Sequence, residues 1–337
     1  MRFLIFITAV NFFQALHAQT PVNDPHWQLI WEDNFNTLNT NMWMVADHFD
    51  HYGEPQVYKS GNVSVNGGHL IITTKQEMYS CPSFNVNPWH CTRQYNSNGL
   101  PYSYTSGWVE TKQPYNTKYG YIESRIKVPY GFGFWPAFWT FQGAGIVASN
   151  AAEIDIFEML GHLPDDHVTT NIHVAYPDGD IYYECAELDY FTYTDWHIYG
   201  VEWSPDRIVW YIDGRAIRTL YNHNIVDPVR IILNTAIEPL YQPTVNQAPF
   251  PSDMRVDYVR VYDLKTDCNT GVNTCSYNFS THDNKVKKEI TIGGGTCVNA
   301  LPANSNIIMR ATDGISISGD FTVPAGAQLY LDVSACH

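Results

Sequence analysis

The 337 residues carry 19 Lys and Arg against 34 Asp and Glu, a formal charge of −15, with 10 Trp, 23 Tyr and 7 Cys. So acidic a chain is a poor partner for nucleic acid. It suits a neutral ligand, and the flat amphipathic rings of Trp and Tyr suit sugar faces as well as a β-sandwich core.

The chain begins with a positive residue, Arg2, then a mostly apolar run from Phe3 to Phe13 and Leu16-His17-Ala18. That is the pattern of a signal peptide over residues 1–18, too short to span a membrane. Its removal takes one Arg and no acid, so the formal charge becomes −16. The mature chain is expected to be exported, to the periplasm, the cell surface or the medium, as a monomer without a transmembrane segment. In that setting close cysteines read as bridges. The expected pairs are Cys81–Cys91, Cys268–Cys275 and Cys297–Cys336, with Cys185 left over; none of the spacings resembles a zinc site.

From Trp27 onward strand follows strand. Asn62-Val-Ser-Val65 and His69-Leu-Ile-Ile-Thr73 flank the turn Asn66-Gly67-Gly68, a hairpin signal, and Asp213-Gly214 marks another. Tyr119–Val128, Phe134–Phe141, Val168–Val174, Trp196–Trp203, Ile208–Ile212, Val229–Leu233 and Met254–Tyr262 continue the series, and no long stretch has a helical period. The fold class is therefore all-β, a sandwich or barrel in one domain over residues 19–264. Residues 265–275 are polar and read as a linker. Residues 276–337 hold further strand patterns and read as a small C-terminal β module that docks on the main domain, binds glycan or carries an export signal. About 60 residues make a marginal core, which a bridge would help.

The organising stretch is Glu153-Ile-Asp155-Ile-Phe-Glu158. Its branched and aromatic spacers favour an extended strand. Glu153 and Asp155 are two apart and share a face. Glu158 would point the other way unless a β-bulge near Ile156 or Phe157 returns it. Three acids on one face of a buried strand are costly unless they have partners or chemistry to perform. Glycoside hydrolysis is chemistry of that kind, since it needs a carboxylate nucleophile, a protonated acid and a third group that tunes the pair.

Around that motif the chain resembles glycoside hydrolase family 16, nearest its laminarinase-like (β-1,3-glucanase) branch. The resemblance rests on Gln56-Val-Tyr58 with Gly67-Gly-His-Leu-Ile-Ile72, on Tyr119–Pro129 with Gly133-Phe-Trp-Pro-Ala-Phe-Trp139, and on Glu153–Gly161. It continues through Asp195–Trp203 with Asp213-Gly214, and through Val256–Tyr262. It covers roughly residues 27–262. It implies a concanavalin-like jelly-roll sandwich of two curved antiparallel sheets, with substrate lying across the concave one.

The resemblance further implies a retaining double displacement, with Glu153 as nucleophile, Glu158 as general acid/base and Asp155 between them. Crowded like charges hold at least one proton, and Glu158 is its natural holder because it must first donate one. Trp135 and Trp139 are implied to line the cleft, core packing being the alternative for one of them. Asn62 and Arg125 match positions that hydrogen-bond sugar hydroxyls; for Arg125 an ion pair with a neighbour is the equal alternative. His173 stands either near the leaving group or as a structural group. No redox or organic cofactor is required. A structural calcium is implied on the convex side, with Asp257 as one ligand.

The chain departs from the family at Thr235–Tyr241, where many laminarinase-like members carry a glycine-rich loop, and at Asn34, where relatives often carry Glu. The expected activity is endo-cleavage of β-1,3 or mixed β-1,3/1,4 glucan, the polysaccharide being the partner. The alternatives are an algal galactan hydrolase of agar or carrageenan type on the same fold, and a non-catalytic β-glucan-binding protein.

Overall fold

The computed structural model describes residues 24–51, 54–81, 100–142, 152–163, 167–176, 179–180, 195–242, 248–333 and 335–336. The proposed signal peptide, Cys91 and Cys185 lie outside them.

Two sheets face each other. The larger has ten strands, in the order Arg215–Tyr221, Arg207–Ile212, His197–Trp203, Gly120–Lys127, Ser252–Leu264, His69–Tyr79, Tyr102–Ser106 and Gln56–Tyr58. Trp27–Asp33 adds to Ser252–Leu264, and Val63–Asn66 to His69–Tyr79. The smaller has seven: Gly179–Asp180, Thr169–Tyr176, Ala152–Glu158, Phe134–Gln142, Val229–Ile237, Trp108–Thr111 and Trp43–Val45. Pairing within the sandwich is antiparallel except between Gln56–Tyr58 and Tyr102–Ser106.

Alternation builds the core. In His69–Tyr79, Leu70, Ile72 and Thr74 point inward and their neighbours outward. Ile122, Ile126, Tyr199, Val201 and Trp210 of the larger sheet meet Phe138, Ile154, Ile156, Phe157 and Ile172 of the smaller. Glycine is required at position 200, where a Cβ would lie 2.2 Å from the Tyr121 hydroxyl oxygen. The expected hairpins form: Asn66 pairs with His69 across Gly67 and Gly68, both left-handed, and Asp213-Gly214 turns the same way.

The C-terminal region is a third sheet whose strands are all parallel: Val286–Ala300 beside Asn306–Thr322 beside Gln328–Val333. Lys287 lies beside Ala311 and Ala311 beside Val333, so the chain winds as a coil and stacks each pass on the last. It has its own core of Phe279, Ile290, Ile292, Leu301 and Met309. The stretch expected as a linker is not free. Thr266–Asp267 and Val272–Thr274 pair with Val286–Ala300, since backbone N–H and C=O groups build a ladder whatever the polarity of the side chains.

Two of the three expected cysteine pairs are corrected as well, Cys81–Cys91 resting on a residue outside the described ones. Cys268 bridges Cys336 and Cys275 bridges Cys297. Proximity in sequence misleads here because each pass of a parallel coil sets residues some twenty apart side by side.

The coil docks on the larger sheet through buried charge. Asp24 accepts from His26 Nδ1 at 2.8 Å and pairs with Arg310 at 2.9 Å. Arg310 also pairs with Asp332. Arg207 forks onto Asp332, with two contacts of 3.1 Å, and reaches Glu202 at 3.2 Å. Beside them Trp27, Tyr121, Val209, Tyr211, Leu264 and Val286 pack together.

Candidate active site

The acid strand Ala152–Glu158 lies between Phe134–Gln142 and Thr169–Tyr176. Its pairing is regular through Asp155, then slips: Asp155 faces Trp139 and Phe157 faces Phe138. On the other side Asp155 faces Asn171 and Glu158 faces Thr169. This is the expected bulge. Ile154, Ile156 and Phe157 are buried in the core, and Glu153, Asp155 and Glu158 line one cleft of about 110 Å³.

A bulge leaves ladder groups unpaired, and buried ones need partners. The Trp210 indole, from the opposite sheet, donates to the Asp155 carbonyl at 2.8 Å. Thr140 Oγ1 donates to the Ile154 carbonyl at 3.3 Å, and Thr169 Oγ1 to that of Glu158 at 2.9 Å. The ring of Phe157 lies 4.3 Å from that of Tyr199. The irregular segment is thus tied to both neighbours and to the facing sheet.

The carboxyls differ in their partners. Glu158 accepts from Trp135 Nε1 at 2.9 Å and from Asn171 Nδ2 at 2.8 Å. Asp155 is 2% exposed, its Oδ2 lies 3.4 Å from His173 Nε2, and Glu153 Oε1 is 3.9 Å from the same nitrogen. Burial, then the Asp155 charge, pushes Glu153 well above the usual carboxylate range, with His173 opposing. Burial and then Glu158 push Asp155 well up. Burial raises Glu158 too, but its two N–H donors, Asn171 before Trp135, restrain the rise. All three carboxyls are therefore pushed toward holding protons by burial in one crowded cleft.

The cleft floor follows from alternation. Trp135, Ala137 and Trp139 face it from one strand, and Asn234 and Ala236 from the next. Trp139 donates to Asn234 Oδ1 at 2.8 Å and is almost fully buried, its ring edge-on to Trp108. Asn234 donates to Tyr58 Oη at 3.0 Å, and Tyr58 to Glu54 Oε2 at 2.9 Å. Glu54 also meets His51 at 3.2 Å.

Of the residues singled out in the sequence, Glu153, Asp155, Glu158, Trp135, Trp139 and His173 come together. Asn62 does not. It is buried, and its amide donates to the Thr73 carbonyl at 2.8 Å and Thr105 Oγ1 at 3.0 Å. Arg125 does not either. It lies on the larger sheet, paired with Asp257 at 2.8 Å and 4.7 Å from the Trp196 ring. Asp257, the expected calcium ligand, thus has one carboxylate oxygen on that guanidinium. Among the described residues, the carboxylates and imidazole that gather are Glu153, Asp155 and His173.

Sequence reasoning missed His51, Glu54, Asn171 and Asn234. Asn171 was within reach: it sits two before His173, on the same face, directly opposite Asp155.

A family model described as glycosyl hydrolases family 16 matches residues 54–260. The glucan endo-1,3-beta-glucosidase A1 of Niallia circulans is 30% identical over 261 residues, covering 69% of this chain and 37% of that protein. The beta-glucanase of Rhodothermus marinus is 29% identical over 271 residues, covering 71% of this chain and 86% of that protein. Among solved structures, the catalytic domain of the endo-1,3-beta-glucanase (laminarinase) of Thermotoga petrophila RKU-1 superposes with a TM-score of 0.59 at 28% identity. The match covers 71% of this chain and 99% of that domain. The chain thus spans little over a third of the Niallia protein but nearly all of a solved catalytic domain.

Proposed function

The chain belongs to glycosyl hydrolases family 16, and from that premise we propose that it is an exported retaining endo-glucanase cleaving internal β-1,3 or mixed β-1,3/1,4 linkages. Glu153 attacks the anomeric carbon. Glu158 protonates the leaving oxygen, then takes a proton from the water that releases the glycosyl-enzyme. Asp155 holds the pair in mutual charge balance. The observation that carries this reading is the bulge, which turns Glu158 onto the face of Glu153 and Asp155 and places it under two fixed N–H donors.

The geometry supplies each step with a partner. Trp135 Nε1 can only donate, so it stabilises the Glu158 carboxylate that forms as the proton leaves. Asn171 Nδ2 adds a second donor to the same carboxylate. His173 lies against both Glu153 and Asp155, and its nearness to Glu153 opposes the rise of that carboxyl, which favours the ionised nucleophile. Trp135, half-buried over the cleft, offers a flat face to a sugar ring. Nothing in these steps draws on a metal or organic cofactor.

Export accords with two bridges and with the absence, among the described residues, of any helix long and apolar enough to cross a membrane. The test is reducing-end release by the purified chain from laminarin, mixed-linkage β-glucan, agarose and carrageenan. Release from laminarin or mixed-linkage glucan is expected. Release from a galactan alone would overturn the substrate and keep the mechanism, and silence on all four with intact folding would overturn both.

A further inference from the structure

A second and larger depression lies outside the cleft. It measures about 610 Å³, within the ~300–1,000 Å³ of ligand pockets. It sits where Gly120–Lys127 ends and where His197–Trp203 and Ser252–Leu264 begin, at one end of the larger sheet. Lys127, Tyr130, Asp195, Trp196, Asp253 and Arg255 line it.

Its lining is positioned. Trp196 is held by the His69 ring at 5.0 Å and the Arg125 guanidinium at 4.7 Å. Asp253 is fixed by Thr73 Oγ1 at 2.8 Å and Arg255 at 3.2 Å. Tyr130 is 58% exposed. The charges are mixed, two cations with two carboxylates, so the groove prefers neither an anion nor a cation. It offers donors and acceptors together with two aromatic rings. That combination matches a neutral polyhydroxylated ligand, whose hydroxyls both donate and accept and whose ring faces are apolar.

Aromatic contacts continue along the loop that leaves the groove. The segment that carries Tyr130 carries Phe132, whose ring meets Tyr241 edge-on at 6.1 Å. Tyr241 stacks on His162 at 3.9 Å, and His162 is held by Glu238, two residues beyond Ala236 of the cleft floor. We propose that this groove is a second polysaccharide-binding site, separate from the cleft, which takes a stretch of the same neutral glucan on Tyr130 and Trp196. The choice of ligand rests on the glucanase reading above.

The test is affinity electrophoresis of the full chain through gels containing laminarin, mixed-linkage β-glucan or agarose, with hydrolysis measured separately on polymer and on a laminari-oligosaccharide. Tyr130→Ala combined with Asp195→Ala changes two exposed side chains and should leave the fold intact. Trp196→Ala, checked by thermal unfolding, is the second variant. Loss of one ring contact should weaken retardation and raise KM on polymer roughly fivefold. The rate on the oligosaccharide should stay at the parent value. Equal retardation of parent and both variants, or no retardation of the parent in any gel, overturns the inference. Failure of the glucanase reading shows separately, as absence of hydrolysis while retardation still differs between parent and variants.

Discussion

Two of the clusters of buried charge among the described residues are built on opposite rules. At the coil junction every acid meets a cation: Asp24 has His26 and Arg310, Asp332 has Arg310 and Arg207, and Glu202 has Arg207. Burial alone would raise Asp24. The His26 hydrogen bond and the Arg310 charge outweigh it and bring the carboxyl down to about 2. In the cleft three acids face one another with a single imidazole, and all three are pushed up. Comparable burial stabilises in one place and costs stability in the other. The costly arrangement is kept and tied down by Trp210, Thr140 and Thr169, the setting expected of reactive carboxyls rather than of a packed core.

The largest expected effect separates the clusters by activity. Glu153→Gln and Glu158→Gln should each lower kcat by roughly 10³-fold or more, with the fold kept, as loss of nucleophilic or general acid catalysis requires. Steady-state rates and circular dichroism check this. Asp155→Asn should cost about 10²-fold and remove a neighbouring charge from Glu153. The acid limb of the kcat/KM profile should then move to lower pH, because Glu153 ionises more easily.

The junction should behave in the reverse way. The lowering of Asp24 from 3.8 to about 2 corresponds to roughly 2–3 kcal/mol, a ~60-fold change in the folding equilibrium. Asp24→Asn should lose that much at pH 7 in denaturant titration, with kcat unchanged. The stability is present above the ordinary Asp value and fades as pH falls through about 2, so parent and variant should converge there. For the cleft the sign is opposite. A raised carboxyl favours folding below its unfolded pKa and loses that contribution as pH rises. Glu153→Gln should therefore stabilise the chain at neutral pH and have no such effect below about pH 4. The smallest effect is at Asn171. Asn171→Ala should lower kcat about tenfold and move the alkaline limb upward, since Glu158 loses a donor that favours its anion.

Much of the cleft was legible because it is local. Glu153, Asp155 and Glu158 lie on one strand, and period-two alternation with one bulge sets their faces. Trp135 and Trp139 follow from the same rule on the neighbouring strand. What escaped was set by pairing between distant strands. Asn62 and Arg125 sit in runs that match the family, yet Thr105 and Asp257, far along the chain, use their donors. Glu54 and Asn234, 180 residues apart in the chain, are joined through Tyr58. The cysteine partners depend on the winding of a parallel coil, which the strand patterns alone do not reveal.

The central claim is the division of labour between Glu153 and Glu158, and azide rescue of the alanine variants tests it most directly. With an aryl β-laminarioside, Glu158→Ala should still form the glycosyl-enzyme, and azide should capture it as the β-glycosyl azide. Glu153→Ala should let azide attack the substrate itself and give the α-glycosyl azide. That pair of products is the predicted result. The opposite anomers, or no rescue in either folded variant, would contradict the assignment.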